Sequence, residues 1–114
     1  MLKPFFDSKR IAVIGASRER EKIGNIVFRN LLKNNSFKVF PVNPKASEIL
    51  GIKCFSDVLG IPFVVDMAII CVKAELVPLI LEQCGKKDIK NAVIISAGFN
   101  EAGNNELAEK TKAI

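Results

Sequence analysis

Two loops of this chain carry residues suited to holding phosphate groups. Gly15-Ala16-Ser17 follows the apolar run Ile11–Ile14, and Asn43-Pro44-Lys45 follows the next apolar run. A glycine turn between a buried strand and a helix presents backbone N–H groups to an anion. In an NAD-binding unit the second strand would end in Asp or Glu, which holds the ribose hydroxyls. Here a lysine, which attracts phosphate, stands near that position. The two loops therefore predict a nucleotide site that prefers a phosphorylated ribose, with coenzyme A as the leading candidate.

Each residue of these loops also has a simpler interpretation. Gly15 turns the chain without a Cβ in the way, Ser17 offers a hydroxyl and an N–H, and Gly24 lets the start of a helix come close. The spacing is not G-x-G-x-x-G, so the same residues also suit an ordinary strand-to-helix turn. Lys45 either contacts a ligand held between these two loops or is a solvated surface charge.

A third loop, Ser96-Ala97-Gly98, ends another apolar run with small residues that leave room for a ligand. Gly98 could equally be there to adopt a positive φ angle. Asp66 and Glu101 are lone carboxylates, and we assign neither a catalytic role. Asp66 is expected to cap or pair at a strand entrance.

The histidine and cysteine content limits the catalytic and metal-binding chemistry that this chain can carry. The chain has no histidine, which excludes histidine acid–base catalysis, a phosphohistidine and most zinc sites within these residues. Its three cysteines have no C-x-x-C spacing, so buried free thiols are favoured over a metal or redox site. We therefore predict no catalytic residue and no metal ligand in this chain.

The charge and hydropathy of the chain indicate whether it binds nucleic acid or a membrane. The net charge is +5, but the basic residues are scattered among acidic ones and there is no Trp or Tyr. We therefore predict no nucleic-acid role; a solvated surface or a polyphosphate ligand explains the charge. No apolar run approaches the roughly 20 residues of a membrane span. No signal peptide is recognised at the start of the sequence, so we expect no membrane association and a cytoplasmic location.

Apolar runs alternate with helical patterns along the 114 residues, which predicts one α/β domain. We expect a Rossmann-like, doubly wound parallel sheet of five strands in the order 3-2-1-4-5, with helices on both faces. The ligand would lie beyond strands 1 and 4, beside Val72-Lys73-Ala74. The predicted strands are 11–15, 37–42, 52–55, 64–72 and 92–96. The predicted helices run from Ile23 to about Asn34, from Glu75 to Lys87 and from Asn104 or Asn105 towards Ile114, with a short helical turn at Lys45–Leu50.

The motifs resemble those of a known family. IAVIGAS at 11–17, KIGN at 22–25, VNPK at 42–45, GIKCF at 51–55 and IISAGFNE at 94–101 occur in order. Together they resemble the CoA-binding domain of ADP-forming acyl-CoA synthetases, especially the archaeal acetate–CoA ligases. They are more distantly similar to the alpha subunit of succinyl-CoA synthetase. Lys73 departs from the pattern, because the family commonly has proline there.

The resemblance implies a site and a reaction. It implies that the turn at 15–18 holds the phosphates of CoA and that Lys45 contacts its nucleotide phosphate end. It implies interconversion of acyl-CoA, ADP and phosphate with acid, CoA and ATP through a phosphohistidine on a following domain. The expected CoA-binding residues are Gly15, Ala16, Ser17, Arg18, Lys22, Gly24, Asn43, Pro44, Lys45, Val72, Lys73, Ala74, Ser96, Ala97 and Gly98.

Domain organisation and function leave alternatives open. Residues 1–114 match a CoA-binding domain that we expect to be truncated at its carboxyl end, without the histidine and ATP-grasp portions. The partners would then be these ligase domains or a separate ATP-grasp subunit, and an uncovered apolar surface would favour a homodimer. Alternatively, the chain is an NADP-dependent oxidoreductase domain or a standalone sensor of CoA or nucleotide. Whether it is part of an enzyme stays open.

Overall fold

The computed structural model describes residues 9–96 and 108–113. Most strands are short apolar runs, and the two helices carry apolar residues at helical spacing. In chain order the elements are β1 (Lys9–Ile14), α1 (Ile23–Leu32), β2 (Phe37–Val42), β3 (Glu48–Ile49), β4 (Ile52–Lys53), β5 (Met67–Ile70), α2 (Val77–Lys86), β6 (Asn91–Ser96) and β7 (Ala108–Ala113).

The main sheet has the strand order β2-β1-β5-β6-β7. The pairs β2–β1, β1–β5 and β5–β6 are parallel, so the predicted α/β class with a parallel sheet is confirmed for four strands. The chain order reverses between β1 and β5, and the loops after these two strands leave the same edge of the sheet.

The predicted third strand at 52–55 does not join the sheet as a strand. Ile52–Lys53 instead pairs with Glu48–Ile49 in a hairpin, and Phe55 alone makes a parallel bridge to Val42. Leu50 and Gly51, both at positive φ, form the hairpin turn; this is the backbone of a tight two-residue hairpin. This strand pairing also replaces the helical turn predicted for Lys45–Leu50.

The carboxyl-terminal part differs from the prediction. Ala108–Ala113 forms β7, antiparallel to β6, where we expected a helix. The strand pairs the backbone groups of β6 along an edge that would otherwise be open. The rest of that predicted helix, and Ala97 and Gly98 of the third loop, lie outside the described residues. The predicted order 3-2-1-4-5 is therefore replaced by four parallel strands with an antiparallel strand at the β6 edge.

Two apolar cores lie on the two faces of the sheet. Phe28, fully buried on α1, belongs to one core and Cys84 on α2 to the other. The helix predicted from Glu75 begins as an α-helix only at Val77, after a 3₁₀ turn at Ala74–Leu76. Leu76 and Leu79 are 46% and 53% exposed. The residues of α2 that pack in the core are Val77, Ile80, Leu81 and Cys84.

Two further expectations, on Asp66 and on the three cysteines, are confirmed within the described residues. Asp66 secures the entrance to the sheet, because its Oδ2 accepts a 2.8 Å hydrogen bond from the N–H of Arg10. Cys54, Cys71 and Cys84 are buried and free. In the described part of the chain, neither helix has the length and apolar character needed to cross a membrane.

Candidate functional site

The turn after β1 is held between two backbones. Gly15 has a φ of +94°, and a Cβ there would overlap the carbonyl oxygen of Cys71. Gly24, at the start of α1, lies so close that its own Cβ would overlap the carbonyl oxygen of Gly15. Both positions therefore require glycine for space, and Gly15 requires it for conformation as well. As predicted, the start of α1 at Gly24 packs directly against the loop at Gly15.

A buried asparagine fixes the outer part of the same loop. Asn25 is 1% exposed, and its Nδ2 donates a 2.8 Å hydrogen bond to the carbonyl of Ser17. Its Oδ1 accepts from Nε of Arg29 at 2.7 Å, and Nη2 of Arg29 donates to the carbonyl of Arg20 at 3.0 Å. Both ends of the loop are thereby tied to α1.

Sequence reasoning missed Asn25 and Arg29 as positioning residues. Their spacing of four residues places them on one face of a helix. An asparagine directly after the glycine that approaches a turn was the signal that could have identified them.

Asn43 joins the second loop to the first. Its Nδ2 donates a 2.7 Å hydrogen bond to the carbonyl of Ala16, and its Oδ1 accepts from the N–H of Lys45 at 2.8 Å. Its own N–H donates to the carbonyl of Phe55 at 2.8 Å. One side chain thus fixes the backbone of Lys45 beside the turn, as the two loops had predicted.

The turn presents backbone donors. Among the described residues, no hydrogen-bond acceptor lies against the N–H groups of Ala16, Ser17 and Arg18. Oγ of Ser17 accepts the N–H of Glu19 at 3.0 Å, which orients the hydroxyl while leaving its proton free to donate. Successive N–H groups beside a helix N-terminus form an environment that favours an anion.

Exposed cations belong to all three loops around this turn. They come from the turn itself, from the loop after β2 and from the loop after β5, namely Arg18, Lys22, Lys45 and Lys73. The loop after β5 reaches the turn through Val72, whose Cγ1 lies 3.0 Å from the Cβ position of Gly15. The arrangement supplies positive charge to an anion that backbone donors can hold.

The structure brings most of the predicted site residues together. Direct contacts or hydrogen bonds link Gly15, Ala16, Ser17, Gly24, Asn43, Lys45 and Val72. Arg18, Lys22, Pro44, Lys73 and Ala74 are exposed residues of the same loops. Ser96 ends β6, next to β5 in the sheet, and its side chain lies outside the described part.

The thiols nearby are not reactive groups. Burial raises the pKa of Cys71, directly below Gly15, from 9.0 to about 12. Burial also raises the pKa of Cys54, and a hydrogen bond to the backbone of Asn43 opposes this in part. Both remain protonated near neutral pH, so neither presents a thiolate nucleophile there.

Comparison with known proteins identifies relatives of the whole described region. A family model described as "CoA binding domain" matches residues 9–113. The ADP-forming acetate–CoA ligase of Methanocaldococcus jannaschii is 49% identical over 93% of this chain. The alpha subunit of the ADP-forming acetate–CoA ligase II of Pyrococcus furiosus is 43% identical over 100% of it.

A solved structure shares the fold. The dinucleotide forming acetyl-coenzyme A synthetase 1 of Ca. Korarchaeum cryptofilum, in complex with phosphate and ADP, is 43% identical, with a TM-score of 0.76 over 89% of this chain. The chain spans 15% of the Methanocaldococcus ligase, 25% of the Pyrococcus subunit and 22% of the solved synthetase chain.

Proposed function

Because the chain belongs to the CoA-binding domain family, we propose that it holds coenzyme A in the crevice formed by the loops after β1, β2 and β5. The observation that carries this proposal is the double role of Asn43. Its side chain bonds to the turn at Ala16 and to the backbone of Lys45. The backbone of the turn and the backbone of Lys45, whose side chain is exposed, are therefore fixed relative to each other.

The proposed contacts follow from charge and donor geometry. The N–H groups of Ala16, Ser17 and Arg18, with the Ser17 hydroxyl, hold the pyrophosphate of CoA. Lys45 holds the ribose phosphate, which is the group that distinguishes CoA from dephospho-CoA. Small residues at the turn leave space for the backbone to approach the ligand, as phosphate-binding loops require.

The finer fold and site assignments belong to the same proposal. A Rossmann-like arrangement is supported by the parallel order β2-β1-β5-β6, which reverses between β1 and β5. The contribution of Lys22, Gly24, Pro44, Lys73, Ala74, Ser96, Ala97 and Gly98 to CoA binding is proposed from their positions in the sequence.

We further propose that the chain supplies CoA to a ligase reaction completed by other domains or subunits. Two relatives are ADP-forming acetate–CoA ligases, and one of them is named as a subunit alpha. This chain has no histidine, so a phosphohistidine step would take place on another domain or subunit. The role of residues 9–113 in that reaction is to bind and orient CoA.

Isothermal titration calorimetry with CoA, dephospho-CoA and NADPH tests the proposal on the 114-residue chain. We expect CoA to bind more tightly than dephospho-CoA, and NADPH to bind more weakly than either. Tighter binding of NADPH than of CoA would favour an NADP-dependent oxidoreductase domain. Equal binding of CoA and dephospho-CoA would remove the ribose phosphate from the proposed contacts.

A further inference from the structure

β2 is the end strand of the sheet on the side away from β7. The N–H of Gly15 donates to the carbonyl of Val42, and the N–H of Lys9 donates to the carbonyl of Ser36. In a parallel pair of strands, every second residue of one strand bonds to its neighbour. The N–H and carbonyl groups of the even-numbered residues of β2 therefore point towards β1. Those of the odd-numbered residues face away from the sheet.

Part of this outer edge is already used. Phe55 donates its N–H to the carbonyl of Pro41 at 2.9 Å and accepts the N–H of Asn43 at 2.8 Å. Phe37 donates its own N–H to Asn34 at 3.0 Å. The N–H and carbonyl of Val39 and the carbonyl of Phe37 have no backbone partner among the described residues. Among the described residues these backbone groups are therefore unpaired, and Val39 as a whole is 7% exposed.

An apolar groove of about 450 Å³ lies along this part of β2. One half is lined by Leu32, Phe37 and Ile52, which pack with the core on the α1 face. The other half is lined by Phe40, Phe55 and Phe63; the rings of Phe40 and Phe63 stack with centroids 5.7 Å apart. Successive side chains of a strand point to opposite faces, so an added strand would place alternate side chains in the two halves.

The charges along the groove are positive. Lys38 and Lys53 are exposed residues of its lining, which contains no acidic residue. The ammonium of Lys53 lies 5.5 Å from the ring centroid of Phe55. The guanidinium of Arg10 lies 5.8 Å from that of Phe63. Glu48 is opposite Lys53 in the β3–β4 hairpin, where it offsets part of this charge.

A second copy of the chain is a poor occupant for this groove. Pairing β2 with β2 would gather the lysines of both copies along one seam, where like charges repel. An acidic segment from a different protein meets the same groove with opposite charge.

We propose that the outer edge of β2 is a docking site for a short, extended, acidic segment of a partner protein. The segment pairs its backbone with Val39, places apolar side chains in both halves of the groove, and sets carboxylates near Lys38 and Lys53. Because Pro41 has no N–H and Phe55 occupies its carbonyl, the paired stretch is only a few residues long. This is strand addition, with backbone bonds for affinity and side-chain pockets for specificity.

The probe is a fluorescein-labelled peptide, acetyl-Glu-Ile-Phe-Val-Glu, titrated by anisotropy at low salt. We expect saturable binding that weakens with added salt, and a chemical-shift change at the amide of Val39. A peptide with Lys in place of both Glu residues should bind at least tenfold more weakly. Lys38→Glu should lower the affinity about tenfold, whereas Lys90→Glu, an exposed lysine outside the groove lining, should not.

Two methylated peptides test the backbone pairing without altering the protein. One carries an N-methyl group at Ile and the other at Phe. Neighbouring N–H groups of a strand face opposite sides, so one of the two should lose binding and the other should keep it. Retained binding by both would overturn strand addition, and unchanged binding by the Lys-ended peptide would overturn the acidic occupant.

Other occupants give different results. Concentration-dependent dimerisation that Lys38→Glu changes and Lys90→Glu does not, together with no saturable binding of the peptide, would assign the groove to a second copy. Peptide binding seen only after removal of residues 1–8 would assign it to the chain's own first residues. Either result would overturn the proposal. CoA affinity, measured in the same samples, is expected to stay unchanged and tests the proposed function separately.

Discussion

The loops after β1 and β5 leave neighbouring strands at the same edge of the sheet, yet they are built differently. The loop after β1 is held by Gly15, Gly24, Asn25 and Asn43 through close backbone contact and side-chain hydrogen bonds. The loop after β5 has a backbone hydrogen bond from Leu76 to Lys73 and exposes Leu76.

Under the proposed function, this difference separates two tasks within one crevice. A phosphate is small and highly charged, and a preorganised set of donors holds it without the cost of ordering a loop. Within the described residues, the loop after β5 has fewer such restraints. The predictions below test whether the first loop is as constrained as its contacts indicate.

The largest expected effect comes from adding a methyl group at the turn. Gly15→Ala forces a Cβ into the carbonyl of Cys71 at a φ of +94°. We expect a loss of about 3 kcal/mol or more in the free energy of unfolding, because backbone atoms rather than a flexible side chain must move. Gly24→Ala should behave similarly. Urea unfolding followed by circular dichroism measures both.

Gly60→Ala is the matched control for these variants. A Cβ at Gly60 would lie 3.9 Å from the ring of Phe55, an ordinary contact. We expect little change in stability. If Gly15→Ala and Gly60→Ala unfold at the same urea concentration, the turn is not the constrained element that we describe.

The next effect concerns the buried asparagine of α1. Asn25→Ala leaves the carbonyl of Ser17 and the Nε of Arg29 without their partner. We expect a loss of about 2 to 3 kcal/mol in stability, since unsatisfied buried polar groups are costly. Asn30→Ala, at an exposed position of the same helix, should cost far less. Because alanine has the higher helix propensity, equal losses in the two variants would show that the hydrogen bonds of Asn25 are not the cause.

Alanine substitutions of Lys45 and Lys73 compare how much the loops after β2 and β5 contribute to CoA affinity. Lys45→Ala should weaken CoA binding tenfold to a hundredfold, because a charge-assisted contact is worth about 1.5–3 kcal/mol. The variant should bind CoA and dephospho-CoA equally, with little change in melting temperature. Lys45→Glu should bind CoA more weakly than the alanine variant.

Lys73→Ala tests the less restrained loop in the same titration. We expect a weaker effect on CoA affinity than for Lys45→Ala, because few contacts fix the backbone of Lys73. Unchanged affinity in Lys45→Ala would make Lys45 an ordinary surface charge, and a larger effect of Lys73 would reverse the comparison.

The smallest effect at neutral pH concerns two buried thiols, Cys71 and Cys84. The pKa of Cys71 is raised to about 12 and that of Cys84 to about 11. Because the folded-state pKa lies above the ordinary value, the native state holds these protons more tightly than the unfolded state. Their contribution to stability is complete below pH 9 and is lost as pH rises towards 11 and 12.

The rate of alkylation by iodoacetamide measures how readily the Cys71 thiolate forms and is reached by the reagent. In a variant that retains only Cys71, the native thiol should react slowly up to pH 9, while the urea-unfolded chain reacts at the rate of a free thiol. Rapid labelling of the native chain at pH 8 would show that the start of the loop after β5 opens readily.

The strands next to the site could be predicted because they are mainly apolar. Gly15 ends the run Ile11–Ile14 and Asn43-Pro44 ends Phe37–Val42. The helical spacing that begins at Ile23 places Gly24 at the start of α1. The site loops follow from the ends of these elements, so the positions of Gly15 and Asn43 followed as well.

What the sequence could not supply depends on tertiary contacts. The hairpin at Glu48–Lys53 competes with a third sheet strand, and which one forms depends on pairing rather than on local pattern. Ala108–Ala113 has no apolar periodicity to indicate a strand; its partner β6 determines its structure. Asn25 is polar on a helix, and only packing against the turn explains its burial.

The proline within β2 has a consequence for how copies of this chain behave at high concentration. An edge strand with unbroken donors can recruit identical strands one after another, which is how sheets grow into fibrils. Pro41 removes one donor and Phe55 covers the neighbouring acceptor. Any pairing at the outer edge of β2 is therefore limited to a few residues. A paired stretch this short does not act as a template on which further copies of the chain add strands.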